Sequence, residues 1–89
     1  MSDAFEAAIF ELLTRAPPGK SVSPEEVARA VDPEGWRRSL SHVRATAVGL
    51  ARQGRLVITR HGKPVDPDHF KGVYRLRLPA APEPEGNAP

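Results

Sequence analysis

The chain has 89 residues, of which 39% are hydrophobic and none is cysteine. This length supports one small domain with a thin core, and the missing thiols exclude disulfides, thiolate metal sites and cysteine nucleophiles. The net charge of +2 conceals an asymmetry, because residues 36–78 hold ten basic against two acidic residues and residues 1–35 hold three against seven. The two parts therefore carry net charges of +8 and −4, and such a division is typical of proteins with a polyanionic partner.

The N-terminal residues are unlike a targeting segment. Asp3 stands where a signal peptide carries basic residues, and no apolar run approaches the ~18 residues of a membrane span. We therefore expect a soluble, cytoplasmic protein with no membrane partner.

The first predicted helix covers residues 4–15. Asp3 followed by Glu6 is typical of a capping box at its start. Apolar residues then recur at helical spacing and predict one buried stripe. The stripe consists of Phe5, Ala8, Ile9, Leu12 and Leu13. The run Pro17-Pro18-Gly19 is expected to end the helix.

The second helix has the clearest start signal in the chain. Val22 lies in a short segment that is expected to be extended, because Ser23 precedes a proline. Ser23 is the predicted N-cap, Pro24 takes the first helical position and Glu26 completes a capping box. The apolar face of this short helix consists of Val27, Ala28 and Val31.

The third helix is predicted to be the longest. Residues 32–35 form either a separate turn or the beginning of this helix. From Trp36 onward a clean apolar stripe follows at helical spacing, which places Trp36 in the core. The stripe consists of Trp36, Leu40, Val43, Ala47, Leu50 and Ala51. Gly54 is a suitable C-terminal stop.

Two strands follow, because the hydrophobic period changes from 3.6 to 2. They are predicted at residues 56–60 and 73–78. In the second strand Tyr74, Leu76 and Leu78 share one face, and Arg75 and Arg77 share the other. Residues 61–72 are predicted to form one irregular loop that is too long for a tight hairpin.

These elements predict an α+β domain over residues 1–78, with three helices packed on a small antiparallel β-hairpin. Residues 79–89 are rich in proline and contain no core-forming residue beyond alanine. We therefore expect them to form a disordered tail.

This order of elements resembles the winged helix-turn-helix, and the resemblance covers residues 4–78. A closer likeness exists to a family of small bacterial winged-helix domains of unknown function. The residues that carry it are the run Ser23-Pro24-Glu25-Glu26-Val27-Ala28-Arg29-Ala30, then Trp36-Arg37, Val43-Arg44, Ala47 and Gly54, and finally Gly62-Lys63-Pro64-Val65-Asp66 and Gly72. The strand–loop–strand segment then corresponds to the wing.

In winged helices that bind DNA, the helix after the turn enters the major groove and the wing contacts the neighbouring backbone or minor groove. The resemblance thus implies double-stranded DNA as partner and a small transcriptional regulator as function, with binding mainly through backbone electrostatics. Candidates for base contacts on the outward face of the third helix are Arg38, Ser41 and His42. Candidates for phosphate contacts are Arg37, Arg44, Arg52, Lys63 and Lys71, and His61 adds a switchable charge in the wing.

The same face also fits a solvated surface or a protein-interaction module. Its middle consists of Ala45, Val48 and Gly49, whose small side chains suit a partner helix as well as a DNA groove. Arg44 lies on the flank of the helix, where it fits either a phosphate or an ion pair with Glu25 or Glu26.

Two features of the long loop also have alternative interpretations. Asp66 and Asp68 would repel phosphate if they faced it, but an Asp-Pro turn explains them more simply. Phe70 is expected to act as a lid over the hairpin rather than as an exposed contact for a partner.

Catalysis and metal binding find little support. Ser39, Ser41 and His42 are neighbours without an orienting acid or a Gly-rich elbow. His61 and His69 lie in a loop and lack the i, i+4 spacing of helical metal ligands. We expect no enzymatic activity, no cofactor and no metal, and either a monomer or a homodimer.

Overall fold

The computed structural model describes residues 3–17 and 19–79. Its helices are α1 (Ala4–Arg15), α2 (Pro24–Val31) and α3 (Trp36–Arg52), and its strands are β1 (Val57–Arg60), β2 (Lys63–Pro64) and β3 (Arg75–Arg77). All three predicted helices are therefore confirmed. The predicted tail at residues 79–89 lies outside the described residues, except for Pro79.

Asp3 caps α1, but not through the predicted capping box. Its Oδ1 accepts a hydrogen bond from the N–H of Phe5 at 2.7 Å. Glu6 instead reaches the segment after α3, where its Oε2 lies 3.1 Å from Nη1 of Arg55. The cap is confirmed, whereas the role predicted for Glu6 is wrong because a cation from elsewhere in the fold attracts its carboxylate.

The other two helices begin differently from each other. At α2, Ser23 Oγ accepts from the N–H of Glu26 and Glu26 Oε2 accepts from the N–H of Ser23, both at 3.1 Å, which confirms the predicted capping box. Residues 33–35 form a separate turn before α3. The N–H of Gly35 donates to Asp32 Oδ1 at 3.0 Å, but no side chain caps α3 itself.

The sheet is antiparallel, with strand order β2-β1-β3. Val22 adds an antiparallel bridge to Leu76, in which the N–H of each residue donates to the carbonyl of the other at 2.8 Å. The segment at Val22 is thus extended, as predicted. It also ties the α1–α2 connection to the outer side of β3.

The prediction of a single irregular loop over residues 61–72 is wrong. β1 and β2 are joined by a two-residue turn at His61 and Gly62, whose φ angles are 53° and 80°, and Arg60 pairs directly with Lys63. Positive φ at both positions suits a tight turn that follows the right-handed twist of paired strands. β1 and β2 therefore form a short hairpin, and the irregular segment is confined to the chain between β2 and β3, residues 65–74.

One hydrophobic core joins the helices to one face of the sheet. Its buried residues are Ala8, Ile9, Leu13, Val22, Val27, Ala28, Val43, Ala47, Leu50, Leu56, Ile58, Phe70, Tyr74 and Leu76. Phe70 packs edge-on against Tyr74 with ring centroids 5.0 Å apart, which confirms its role as a lid. Leu78, which was predicted to share a face with Tyr74 and Leu76, is 41% exposed because it lies beyond the last paired residue of β3.

The predicted α+β class is confirmed, and the arrangement of three helices with an antiparallel sheet is consistent with a winged helix. Within the described residues the sheet has three strands rather than the two of the predicted hairpin. Within the part of the chain that the structure describes, no helix has the length and apolar character needed to cross a membrane.

Candidate functional site

Acids of the N-terminal part lie against several basic residues of the C-terminal part. Within residues 3–17 and 19–79, four pairs connect the two parts, with N···O distances from 3.0 to 3.9 Å: Asp3–His42, Glu6–Arg55, Glu26–Arg75 and Asp32–Arg38. Partly exposed pairs of this kind contribute little to stability. They do, however, reduce the positive potential of the surfaces on which they lie.

The outward face of α3 is the surface most affected. Arg38 lies 3.9 Å from Asp32, and His42 Nε2 lies 3.0 Å from Asp3 Oδ2. Arg52 forms an ion pair with Asp68 of the irregular segment. Ser41 is exposed between them. The residues predicted to read bases therefore lie on one face, but acids compensate most of its charge.

Gly49 lies on this face, and no contact within the described fold requires a glycine at this position. A Cβ built at Gly49 would have no atom within 4 Å beyond its own helix. We expect Gly49→Ala to stabilise the protein by about 0.5–1 kcal/mol, because alanine loses less conformational freedom in a helix. Chemical denaturation checks this value. Gly54→Ala is the control: its site is equally open, but its φ of 77° makes alanine destabilising there.

Asp3 ties the start of α1 to this same face. The hydrogen bond from the His42 side chain is the main reason that the pKa of Asp3 lies below its ordinary value of 3.8, and the N–H of Phe5 acts in the same direction. Such a carboxylate stabilises the folded state above its unfolded pKa, and this stabilisation is lost as the pH falls through the lower folded pKa.

Replacing Asp3 with asparagine should therefore have a pH-dependent effect. At about pH 5.5 we expect Asp3→Asn to lower the urea midpoint, and the difference from the unchanged protein should shrink as the pH falls below about 3.8. Glu11→Gln, which breaks an exposed pair with Arg15 within α1, should give a small difference at both pH values. A difference that grows toward low pH would contradict the assignment.

Arg44 anchors the irregular segment to α3. Its Nη2 donates to the carbonyl oxygen of Phe70 at 2.8 Å, and its Cζ lies 3.9 Å from the centroid of the Phe70 ring. The alternative pairing with Glu25 or Glu26 is not formed. The carbonyl and the ring that hold the guanidinium are both neutral, so no carboxylate offsets its positive charge there.

A groove of about 390 Å³ opens between the N-termini of α2 and α3 and the chain before β3. It is lined by Ser23, Pro24, Glu25, Trp36, Leu40, Gly72, Val73, Tyr74 and Arg75. Trp36 was predicted in the core, but it is only half-buried, because it starts α3 at the edge of the packed layers. The guanidinium carbons of Arg29 and Arg37 lie 4.4 and 4.6 Å from its ring centroid.

Glu25, which lines the groove, and its neighbour Glu26 are both already paired. Glu25 Oε2 lies 2.8 Å from Nη2 of Arg29. Glu26, at the rim, accepts from the N–H of Ser23 and lies 3.7 Å from Nη2 of Arg75. The carboxylates are therefore held by partners, which leaves the exposed Arg37 as a cation at this rim with no carboxylate partner among the described residues.

A second cavity of about 500 Å³ lies on the other side of the irregular segment. It is lined by Arg60, Val65, Asp68, His69, Phe70 and Lys71. Arg60 Nε donates to the carbonyl oxygen of Val73 at 2.9 Å, and its guanidinium packs on Gly72, where a Cβ would lie 3.0 Å from Nη2. Gly72 and Val73 line the groove. Through its contacts to these two residues, Arg60 connects the β1–β2 hairpin to the groove beside α3.

The two acids of the irregular segment, Asp66 and Asp68, are engaged as well. Asp66 Oδ1 accepts from the N–H of Asp68 at 2.9 Å, which confirms the predicted turn. This N–H and the side chain of His69 hold the pKa of Asp66 below its ordinary value. With Asp68 paired to Arg52, neither carboxylate stands unpaired beside the basic residues of the wing.

The predicted site residues thus fall into two groups. Arg38, Ser41, His42 and Arg52 lie on the compensated outward face of α3. Arg37 and Arg44 lie on the flank of α3 that meets the irregular segment, Lys71 lies in that segment, and the exposed His61 and Lys63 lie on the adjoining hairpin.

Sequence reasoning missed Arg60, Arg75 and Val73 as members of this flank. The side chain of Val73 is 83% exposed although it is large and apolar. A signal was present, because strict alternation placed Val73 on the same face as Arg75 and Arg77. An apolar residue on the polar face of a strand does not contribute to the core, and such an exposed residue is typical of a binding surface.

Comparison with known proteins gives a family but no activity. No curated protein matches the chain. A family model described as "Protein of unknown function (DUF3253)" matches residues 2–79. Since this match covers nearly the whole sequence, the chain belongs to that family.

Proposed function

We propose that the protein binds DNA, mainly through contacts to the phosphate backbone, with the flank of α3, the irregular segment and the wing hairpin. The supporting observation is a group of basic residues along this flank that have no carboxylate oxygen within 4.0 Å among residues 3–17 and 19–79. They are Arg37, Arg44, Arg60, Lys63 and Lys71. Cations whose charge is not offset by a carboxylate are those that can neutralise phosphates.

The N-terminus of α3 supports the same surface. In the described part of the chain no side chain caps this helix. The Asp32 carboxylate holds the N–H of Gly35 just before it, and the N–H of Arg38 donates to the carbonyl of Gly35, so a phosphate would meet the N–H groups of Trp36 and Arg37. The helix dipole adds a partial positive charge at this end. Arg37 lies in this first turn, so a phosphate there would meet a full charge and backbone donors together.

The expected strength of binding follows from the number of phosphates. If the five residues each neutralise one phosphate, the logarithm of affinity should fall with the logarithm of salt concentration at a slope of about −4 to −5. Fluorescence anisotropy of a labelled mixed-sequence duplex, measured at several sodium chloride concentrations, tests this expectation. No binding even at low salt would remove the proposal.

The outward face of α3 favours a second candidate, a protein-interaction module. Its charges are largely compensated, and Ala45 and Gly49 leave a shallow surface that an apolar helix can approach. Ala45→Gln should block such a partner while leaving duplex affinity within about twofold, because it changes no charge. Loss of a specific copurifying protein together with absent DNA binding would favour this candidate.

A further inference from the structure

The groove beside Trp36 combines an apolar interior with a cationic rim. Its interior is lined chiefly by Pro24, Leu40, Val73 and Tyr74 together with the Trp36 ring. Val73 is 83% exposed, although a valine of a soluble protein is more often buried. An apolar surface rimmed by polar residues is typical of a binding site.

The charged residues at the rim of the groove favour an anionic occupant. Four guanidinium groups lie against the aromatic rings or the lining of the groove: those of Arg29, Arg37, Arg44 and Arg75. Among the described residues two carboxylates face them, those of Glu25 and Glu26, and these pair with Arg29 and Arg75, so Arg37 and Arg44 have no carboxylate partner there. The rim therefore has an excess of positive charge, which complements an occupant that is apolar in the middle and anionic at its ends.

A DNA duplex would contact the cationic rim of the groove but not its apolar interior. Its bases are stacked inside, so it would place phosphates on the rim and leave the apolar interior empty. A single strand can turn one unpaired base into the groove while the phosphates on either side meet the rim. Aromatic contact with bases and cationic contact with phosphates together are the general basis of single-strand binding.

We propose that this groove receives an unpaired nucleobase, so that the protein binds single-stranded nucleic acid more tightly than duplex. The inference rests on the proposed nucleic-acid function and names its preferred partner. Arg37, which stacks on Trp36 and has no acid partner among the described residues, supplies a phosphate contact beside the base. Val73 and Tyr74 supply apolar contacts to it.

The fluorescence of Trp36 provides a direct test, because it is the only tryptophan of the chain. The full chain is titrated at one low salt concentration with oligodeoxythymidylate of 12 nucleotides, an abasic strand of equal length and a duplex of 12 base pairs. We expect the oligodeoxythymidylate to quench Trp36 and to bind about fivefold or more tighter than either other ligand.

Two matched variants separate the groove from the rest of the surface. Val73→Ser should weaken oligodeoxythymidylate binding about fivefold and leave the abasic strand and the duplex unchanged. Leu78→Ser removes the other large apolar residue that is exposed in the described part of the chain. It lies outside the groove, and its replacement should change none of the three affinities.

Three other outcomes would overturn the inference, and each can be distinguished from the others. Equal binding of the three ligands, or no effect of Val73→Ser, would leave the proposed function standing and exclude a base from the groove. Quenching by a peptide of residues 80–89 and by no oligonucleotide would instead identify an acidic peptide as occupant. Failure of every nucleic acid to bind would remove both proposals.

Discussion

Replacing Leu76 with alanine should lower the free energy of unfolding by about 2–5 kcal/mol, because it leaves a cavity where the core is closed on all sides. Leu76 is 0% exposed. It lies between Ile58 of β1, its cross-strand partner, and Val22, its bridge partner on the other side. Truncation therefore removes contacts to the sheet, to the α1–α2 connection and to the helices at once.

This loss is large for so small a domain. Marginal stability of about 0.05–0.15 kcal/mol per residue gives roughly 4–11 kcal/mol for the described part of the chain. Leu76→Ala should thus remove between a fifth and all of it, which guanidinium denaturation measures. Leu78→Ala, two positions along the same segment and 41% exposed, should cost less than about 0.5 kcal/mol. Equal losses at the two leucines would contradict the described burial.

The helices could be predicted because their signals are local. Ser23 and Glu26 exchange hydrogen bonds within one turn, and Pro24 takes the first helical position between them. The apolar stripe along α3 likewise requires only one buried side of the helix. The hairpin was missed because its turn residues, His61 and Gly62, lack the Asn-Gly pattern by which such turns are recognised. The tight turn becomes visible only in the structure, where Arg60 pairs with Lys63 and His61 adopts a positive φ between them.

The site was harder to predict, because its character depends on contacts between distant residues. The charge count of the C-terminal part was right as a number, but it did not show which cations meet acids. Asp3 reaches His42 across 39 positions, and Asp68 reaches Arg52 across 16. These contacts shift the uncompensated charge from the outward face of α3 to its flank, a change that no pattern along the chain encodes.

Removing three uncompensated cations of this flank is expected to have the largest effect on binding. The triple variant Arg37→Ala, Lys63→Ala and Lys71→Ala should reduce the magnitude of the salt slope by about 3, since each phosphate contact contributes about 0.9. At about 50 mM salt, counterion release makes each contact worth roughly tenfold in affinity. Duplex binding should therefore weaken by two to three orders of magnitude, as anisotropy titrations would record.

The choice of residues makes this result interpretable. None of the three side chains forms an ion pair or hydrogen bond within the described residues, so their removal should leave the urea midpoint nearly unchanged. Arg44 is kept because it holds Phe70, and its loss would disturb the irregular segment as well as the charge. Arg15→Ala is the control, because Arg15 is paired with Glu11 on α1 and lies outside the proposed surface. A triple variant that binds and responds to salt as the unchanged protein does would place the interface elsewhere.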